Sequence, residues 1–101
     1  MIIEFSIVPI GKGESLCELV AKVVDIVDAS GLPYKLTAMG TIVEGEWDEL
    51  TELLKECHFK MKQYCSRVMT FITIDDREKA KERLEGKVED VEEILGRRLK
   101  K

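Results

Sequence analysis

The sequence predicts an α+β domain: a four-stranded antiparallel sheet with two helices on one face, followed by a further C-terminal helix. Three observations carry this expectation. Apolar and polar residues alternate at both ends of the body, over residues 2–9 and 67–75. Between them two stretches switch to helical spacing, and glycine or proline stands at three of the four changes of period.

The elements follow in order. Ile3, Phe5 and Ile7 alternate with Glu4, Ser6 and Val8, the pattern of a strand with one buried face, and Pro9 with Gly11-Lys12-Gly13 should stop it. Ser15 and Glu18 have capping-box spacing, in which each side chain satisfies a free backbone N–H at a helix start. Leu16, Val20, Val23, Val24 and Val27 form the expected stripe of helix one, ended by Gly31 and Pro33. Tyr34 to Met39 reads as strand two and Gly40 to Glu44 as strand three, with Met39-Gly40-Thr41 either a tight hairpin or a bulge. Glu46, Asp48 and Glu49 place negative charge at the start of helix two, whose stripe is Leu50, Leu53, Leu54, Cys57, Met61 and Tyr64. Strand four runs from Arg67 to Asp75. The charged tail, about residues 78–101, carries Leu84, Val88, Val91, Leu95 and Leu99 at helical spacing, and Gly86 should divide it. The order β-α-β-β-α-β, with right-handed crossovers, is the ferredoxin-like sandwich in a single domain of residues 1–101. Both helices on one face leave the other bare, with Val8, Met69, Phe71 and Met39 on it, and a second copy is the simplest cover.

Composition bounds the function. The chain has 101 residues, 45% hydrophobic and 36% charged, with a net charge of −4. An acidic balance argues against non-specific binding to nucleic acid or anionic lipid. No apolar run reaches the length of a membrane helix, and the N-terminus carries Glu4 in place of a basic leader, so a soluble cytoplasmic protein is expected. Cys17, Cys57 and Cys65 are odd in number and lack C-x-x-C spacing, as reduced thiols would.

No catalytic constellation is visible, and no enzyme and no cofactor are expected. Cys57 and the single histidine, His58, are neighbours on a helix and point about 100° apart, which suits a packed thiol beside an imidazole better than a nucleophilic pair. Gly11-Lys12-Gly13 is too short to read as a phosphate loop, and Asp75-Asp76 with Glu78 reads as a solvated strand end. RNA binding of the RRM type needs aromatics on the central strands, and residues 40–44 have none. Metal carriage on this fold needs a C-x-x-C after strand one, and residues 10–16 have none. Trp47 reads first as packing at the start of helix two, and second as a flat face for a cationic ligand.

The runs Glu4-Phe5-Ser6-Ile7-Val8-Pro9-Ile10-Gly11 and Gly31 to Gly45, then Glu46-Trp47-Asp48-Glu49, Cys57-His58, Arg67 to Thr70 and Ile74 to Arg77, resemble the small thiamine-binding-protein family, the YkoF-like ferredoxin-fold group. Ala38 stands where a proline is expected, and Glu78 to Gly86 reads as helix in place of a proline-bearing segment. The resemblance implies a homotetramer or dimer that binds thiamine, or its hydroxymethylpyrimidine part, as a carrier or sensor without converting it. Candidate ligand-binding residues are Ser6, Met39, Thr41, Glu44, Trp47 and Thr70: hydroxyls and a carboxylate for the pyrimidine, Glu4 or Glu44 for the cation, and Met39 and Trp47 for the ring faces. Thr70 serves the ligand only if it does not point into the core. The alternative is a structural or regulatory oligomerisation domain with no dedicated ligand.

Overall fold

Strand β1 (Ile2–Pro9), helix α1 (Leu16–Ala29), strands β2 (Tyr34–Leu36) and β3 (Thr41–Glu44), helix α2 (Trp47–Lys62), strand β4 (Val68–Asp75) and helix α3 (Arg83–Leu95) follow in chain order. The computed structural model describes residues 1–11, 16–78 and 83–100. The strands form one antiparallel sheet in the order β2-β3-β1-β4, the ferredoxin-like arrangement. The capping box at Ser15 and the loop at Lys12 and Gly13 lie outside the described residues.

Alternation in β1 works as read: Ile3, Phe5 and Ile7 are buried while Glu4 and Val8 are exposed. Onto this buried row pack Val43 of β3, Leu19, Val23 and Val27 of α1, and Leu50, Leu53, Cys57 and Met61 of α2. At the start of α2 the Glu49 carboxylate accepts the Glu46 N–H at 3.1 Å, which satisfies one donor of the helix entrance.

Several boundaries and faces differ from expectation. In α1 the deepest row is Leu19–Val23–Val27, spaced by four, and Val20 and Val24 stand beside it at the rim. Tyr64 lies beyond the end of α2 and is exposed. Strand β2 stops at Leu36, because the Thr37 hydroxyl takes the Met39 and Gly40 N–H groups and donates to the Gly40 carbonyl, which turns the chain back at Ala38-Met39. That choice makes the junction a hairpin. Pro9, by contrast, ends β1 as expected.

Gly86 does not divide the tail. Helix α3 runs through it to Leu95 and ends at Gly96, whose φ of 70° gives the left-handed turn that a helix C-terminus needs. Gly86 is half-buried and lines a cleft together with Lys35 and Glu44, and its poor helix propensity of about 1 kcal/mol does not break the helix.

Strand β4 is an edge strand. By register Ile72 lies opposite Phe5 and Ile74 opposite Ile3, on the helix-covered face, yet both remain exposed because α2 lies over β1 and β4 and, among the described residues, no further strand flanks the far side. Val8, Met69 and Phe71 lie on the opposite face, exposed as expected. Met39 sits in the hairpin and is 83% exposed.

Candidate functional site

Strand β1 is flanked unequally. Strand β4 pairs with it from Ile2 to Pro9, but β3 pairs only from Ile2 to Phe5. The last four residues of β1 therefore lack a paired neighbour on the β3 side, and the sheet carries a notch there. Ladder alternation fixes which groups face it. The Ile10 N–H donates to the Arg67 carbonyl and the Gly45 N–H to the Met1 carbonyl, so even-numbered residues of β1 bond toward β4 and odd-numbered ones toward β3. The N–H and C=O of Ile7 thus point into the notch, as does the carbonyl of Pro9, whose missing N–H suits a strand with one unpaired side.

The β2–β3 hairpin forms the outer wall of the notch. Gly40 makes this possible: a methyl there would come within 2.9 Å of the Phe5 carbonyl oxygen, 3.0 Å of Ser6 Oγ and 3.5 Å of Glu4 Cγ. With no side chain at Gly40, the hairpin lies close enough for Ser6 Oγ to donate to the Met39 carbonyl at 2.9 Å. From the helix side Val20 and Val24 of α1 close the floor, and Leu36 and Met61 complete it. The result is a cavity of about 280 Å³. Its described lining is apolar apart from the backbone and the hydroxyls of Ser6, Thr37 and Thr41, and contains no carboxylate. Thr41 is buried, and its hydroxyl has no side-chain or backbone partner among the described residues. No enclosed side-chain polar atom in the described structure is unpaired, so this oxygen opens on the cavity.

Of the six candidate residues the notch therefore unites three, Ser6, Met39 and Thr41. The other three stand elsewhere. Glu44, 8% exposed, lies at the far end of β3, three residues or roughly 10 Å from Thr41, and its Oε1 accepts the Leu84 N–H at 3.3 Å where α3 docks. Trp47 is exposed at the first turn of α2, its carbonyl taken by the Thr51 hydroxyl at 2.8 Å. Thr70 sits on the helix side of β4, with its hydroxyl 2.6 Å from His58 Nδ1. Glu4 lies at the outer rim, on the face away from the helices. Residue-type reasoning misses Ile7, Val20 and Val24, because Ile7 contributes its backbone and the valines contribute shape. Pro9 inside an alternating run was the available signal, since proline marks a strand with an open edge.

Cys57 and His58 do not form a hydrogen-bonded pair. Cys57 Sγ lies in the core, 4.0 Å from the Val23 carbonyl, and burial, with the Glu56 charge adding to it, pushes its thiol up to about 12. A thiol held neutral in the folded state and titrating near 8.5 when unfolded contributes stability that is fully present below about pH 8.5. That contribution is lost as the pH rises toward 12, at about 1.4 kcal/mol per pH unit. Urea unfolding at pH 8 and pH 10.5 should therefore show a steeper alkaline loss in the native protein than in Cys57→Val. Equal losses would remove Cys57 as the cause.

A family model described as "Thiamine-binding protein" matches residues 3–92. The chain belongs to the thiamine-binding protein family. Among relatives, the UPF0045 protein of Methanothermobacter thermautotrophicus is 39% identical, with 91% of this chain and 96% of that one covered. The UPF0045 protein YqgV of Bacillus subtilis is 37% identical over 93% of this chain and 96% of its own. The crystal structure of the hypothetical protein MJ1052 from Methanocaldococcus jannaschii superposes with a TM-score of 0.83 at 33% identity, covering 91% and 95% of the two chains. A Thermotoga maritima protein, provisionally assigned to thiamine biosynthesis or salvage, shares the fold with a TM-score of 0.80 at 23% identity. Within the described residues of this family member no helix is long and apolar enough to cross a membrane.

Proposed function

We propose that the protein binds thiamine, or its hydroxymethylpyrimidine part, in the notch beside β1, as a non-catalytic cytoplasmic carrier or sensor working as a homo-oligomer. The observation that carries the reading is the unpaired strand edge inside an otherwise apolar cavity. The N–H and C=O of Ile7 offer a donor beside an acceptor, which matches the ring nitrogen and amino group along one edge of an aminopyrimidine. Ser6 and Thr41 add hydroxyls for the remaining polar atoms, and Met39 covers a ring face. An uncharged lining suits the neutral pyrimidine, while the thiazolium cation of thiamine faces the rim, where Glu4 stands. Glu44, Trp47 and Thr70 take no part in this arrangement.

Isothermal titration with thiamine and with hydroxymethylpyrimidine tests it. Saturable binding near one ligand per chain is expected, about tenfold weaker in Thr41→Val, the equivalent of one lost hydrogen bond of about 1.4 kcal/mol. Absence of heat with both ligands, from a folded protein, would favour the second reading, an oligomerisation domain without a dedicated ligand. The exposed apolar face carrying Val8, Met69 and Phe71 is the observation behind that second reading.

A further inference from the structure

Glu44 is the single buried carboxylate among the described residues, 8% exposed at the end of β3. Burial strips a carboxylate of its hydration, so it needs partners that favour the charge. Helix α3 supplies one. Glu44 Oε1 accepts the Leu84 N–H at 3.3 Å, in the first turn of α3. Backbone donors there have no partner within the helix, and the helix dipole favours a negative charge. By register Lys35, Ile42 and Glu44 share the sheet face away from α1 and α2, and α3 docks there against β3.

Strand β2 links this dock to the notch. It is three residues long and, among the described strands, pairs only with β3. Lys35, with Tyr34, lines the cleft between β2 and α3. The next residue, Leu36, lines the notch, and the Thr37 turn that forms the outer wall follows it directly. Strand β3 is paired with β1 over its whole length, from Thr41 to Glu44, which fixes it in place. The movable part of the wall is therefore β2 with its turn, and α3 flanks the start of β2.

We propose that Glu44 is a positioning residue of the notch: it holds the first turn of α3 on the sheet, which fixes β2 and couples the docking of α3 to the occupancy of the notch. The proposal rests on the reading that thiamine or its pyrimidine sits in the notch. Glu44 does not touch the ligand there and acts through β2. Two states differ in the wall. With α3 docked, Leu36 and the turn at 37–40 stand in place. With α3 released, β2 is held by β3 alone and the wall slackens. A ligand that fits the firm wall binds the docked state more tightly, and by linkage it must strengthen docking by the same factor.

Hydrogen exchange on the full chain tests the coupling. Saturating thiamine should slow exchange of the α3 amides from Val88 to Leu95 about fivefold or more, although no α3 residue lines the notch. Glu44→Ala should bind thiamine about fivefold more weakly and lose the slowing that thiamine produces in α3. Glu44→Gln keeps an acceptor oxygen for the Leu84 N–H and should restore most of both. Unchanged α3 exchange in the native protein at saturating thiamine would overturn the coupling, whether or not the variants fold, and would leave the ligand reading standing. Glu44→Ala with native thiamine affinity and fast exchange in α3 would do the same. A native protein that gives no binding heat with thiamine or hydroxymethylpyrimidine would overturn the ligand reading and this proposal with it.

Discussion

Replacing Phe5 by alanine is expected to lower the free energy of unfolding by about 3–5 kcal/mol, the largest single effect in the molecule. Phe5 is 2% exposed at the middle of β1, opposite Thr41 on one flank and Ile72 on the other, with both helices above it. A domain of this size buries little beyond one core, so nothing nearby can collapse into the space a missing ring leaves. Total stability for such a domain is about 5–15 kcal/mol, so Phe5→Ala removes a large fraction of it. The check is the urea midpoint. With a slope of about 1–2 kcal/mol/M, the midpoint should fall by roughly 2 M or more. A fall below 0.5 M, on the order of 1 kcal/mol, would show that the core relaxes around Phe5. Because Phe5 also walls the notch, the variant should lose ligand binding together with stability.

The second large effect falls at Gly40. A Cβ there would lie 2.9 Å from the Phe5 carbonyl oxygen, a backbone atom that cannot swing aside. Gly40→Val forces the β2–β3 hairpin away from β1 and breaks the Ser6–Met39 hydrogen bond. The expected cost is about 3 kcal/mol, at the upper end for overpacking. Its signature differs from that of Phe5→Ala. The hydrophobic core of β1, α1 and α2 stays intact, so at temperatures where both variants remain folded Gly40→Val should have lost ligand binding while keeping native near-UV circular dichroism. Retained affinity would place the ligand away from the notch.

Much of the fold was legible because its elements follow from local rules. The alternation of Ile3, Phe5 and Ile7 against Glu4 and Ser6 is a property of the extended chain, whatever packs on it. The α2 stripe of Leu50, Leu53, Cys57 and Met61 emerged buried as read. Helix α1 was harder, since four valines, two leucines and an isoleucine make a band wider than one buried row, and neighbouring helices decide which row goes deepest. That choice put Leu19 in the core and left Val20 and Val24 to line the cavity. Gly86 misled because helix propensity is a weak local preference, overridden here by contact between α3 and the β2–β3 edge.

The sequence by itself determined the order of elements, the two β-α-β units, the buried face of β1 and the membership of a family that its motifs resemble. It also contained Ser6, Met39 and Thr41, the part of the proposed site that residue chemistry can flag. Only the tertiary structure decided that β3 stops short of the end of β1, that the backbone of Ile7 is thereby left unpaired, and that Glu44 belongs to the docking of α3. The reason is physical. Side-chain periodicity is written residue by residue, whereas a notch is a difference in length between two strand pairings, and it exists only once both neighbours of β1 are in place.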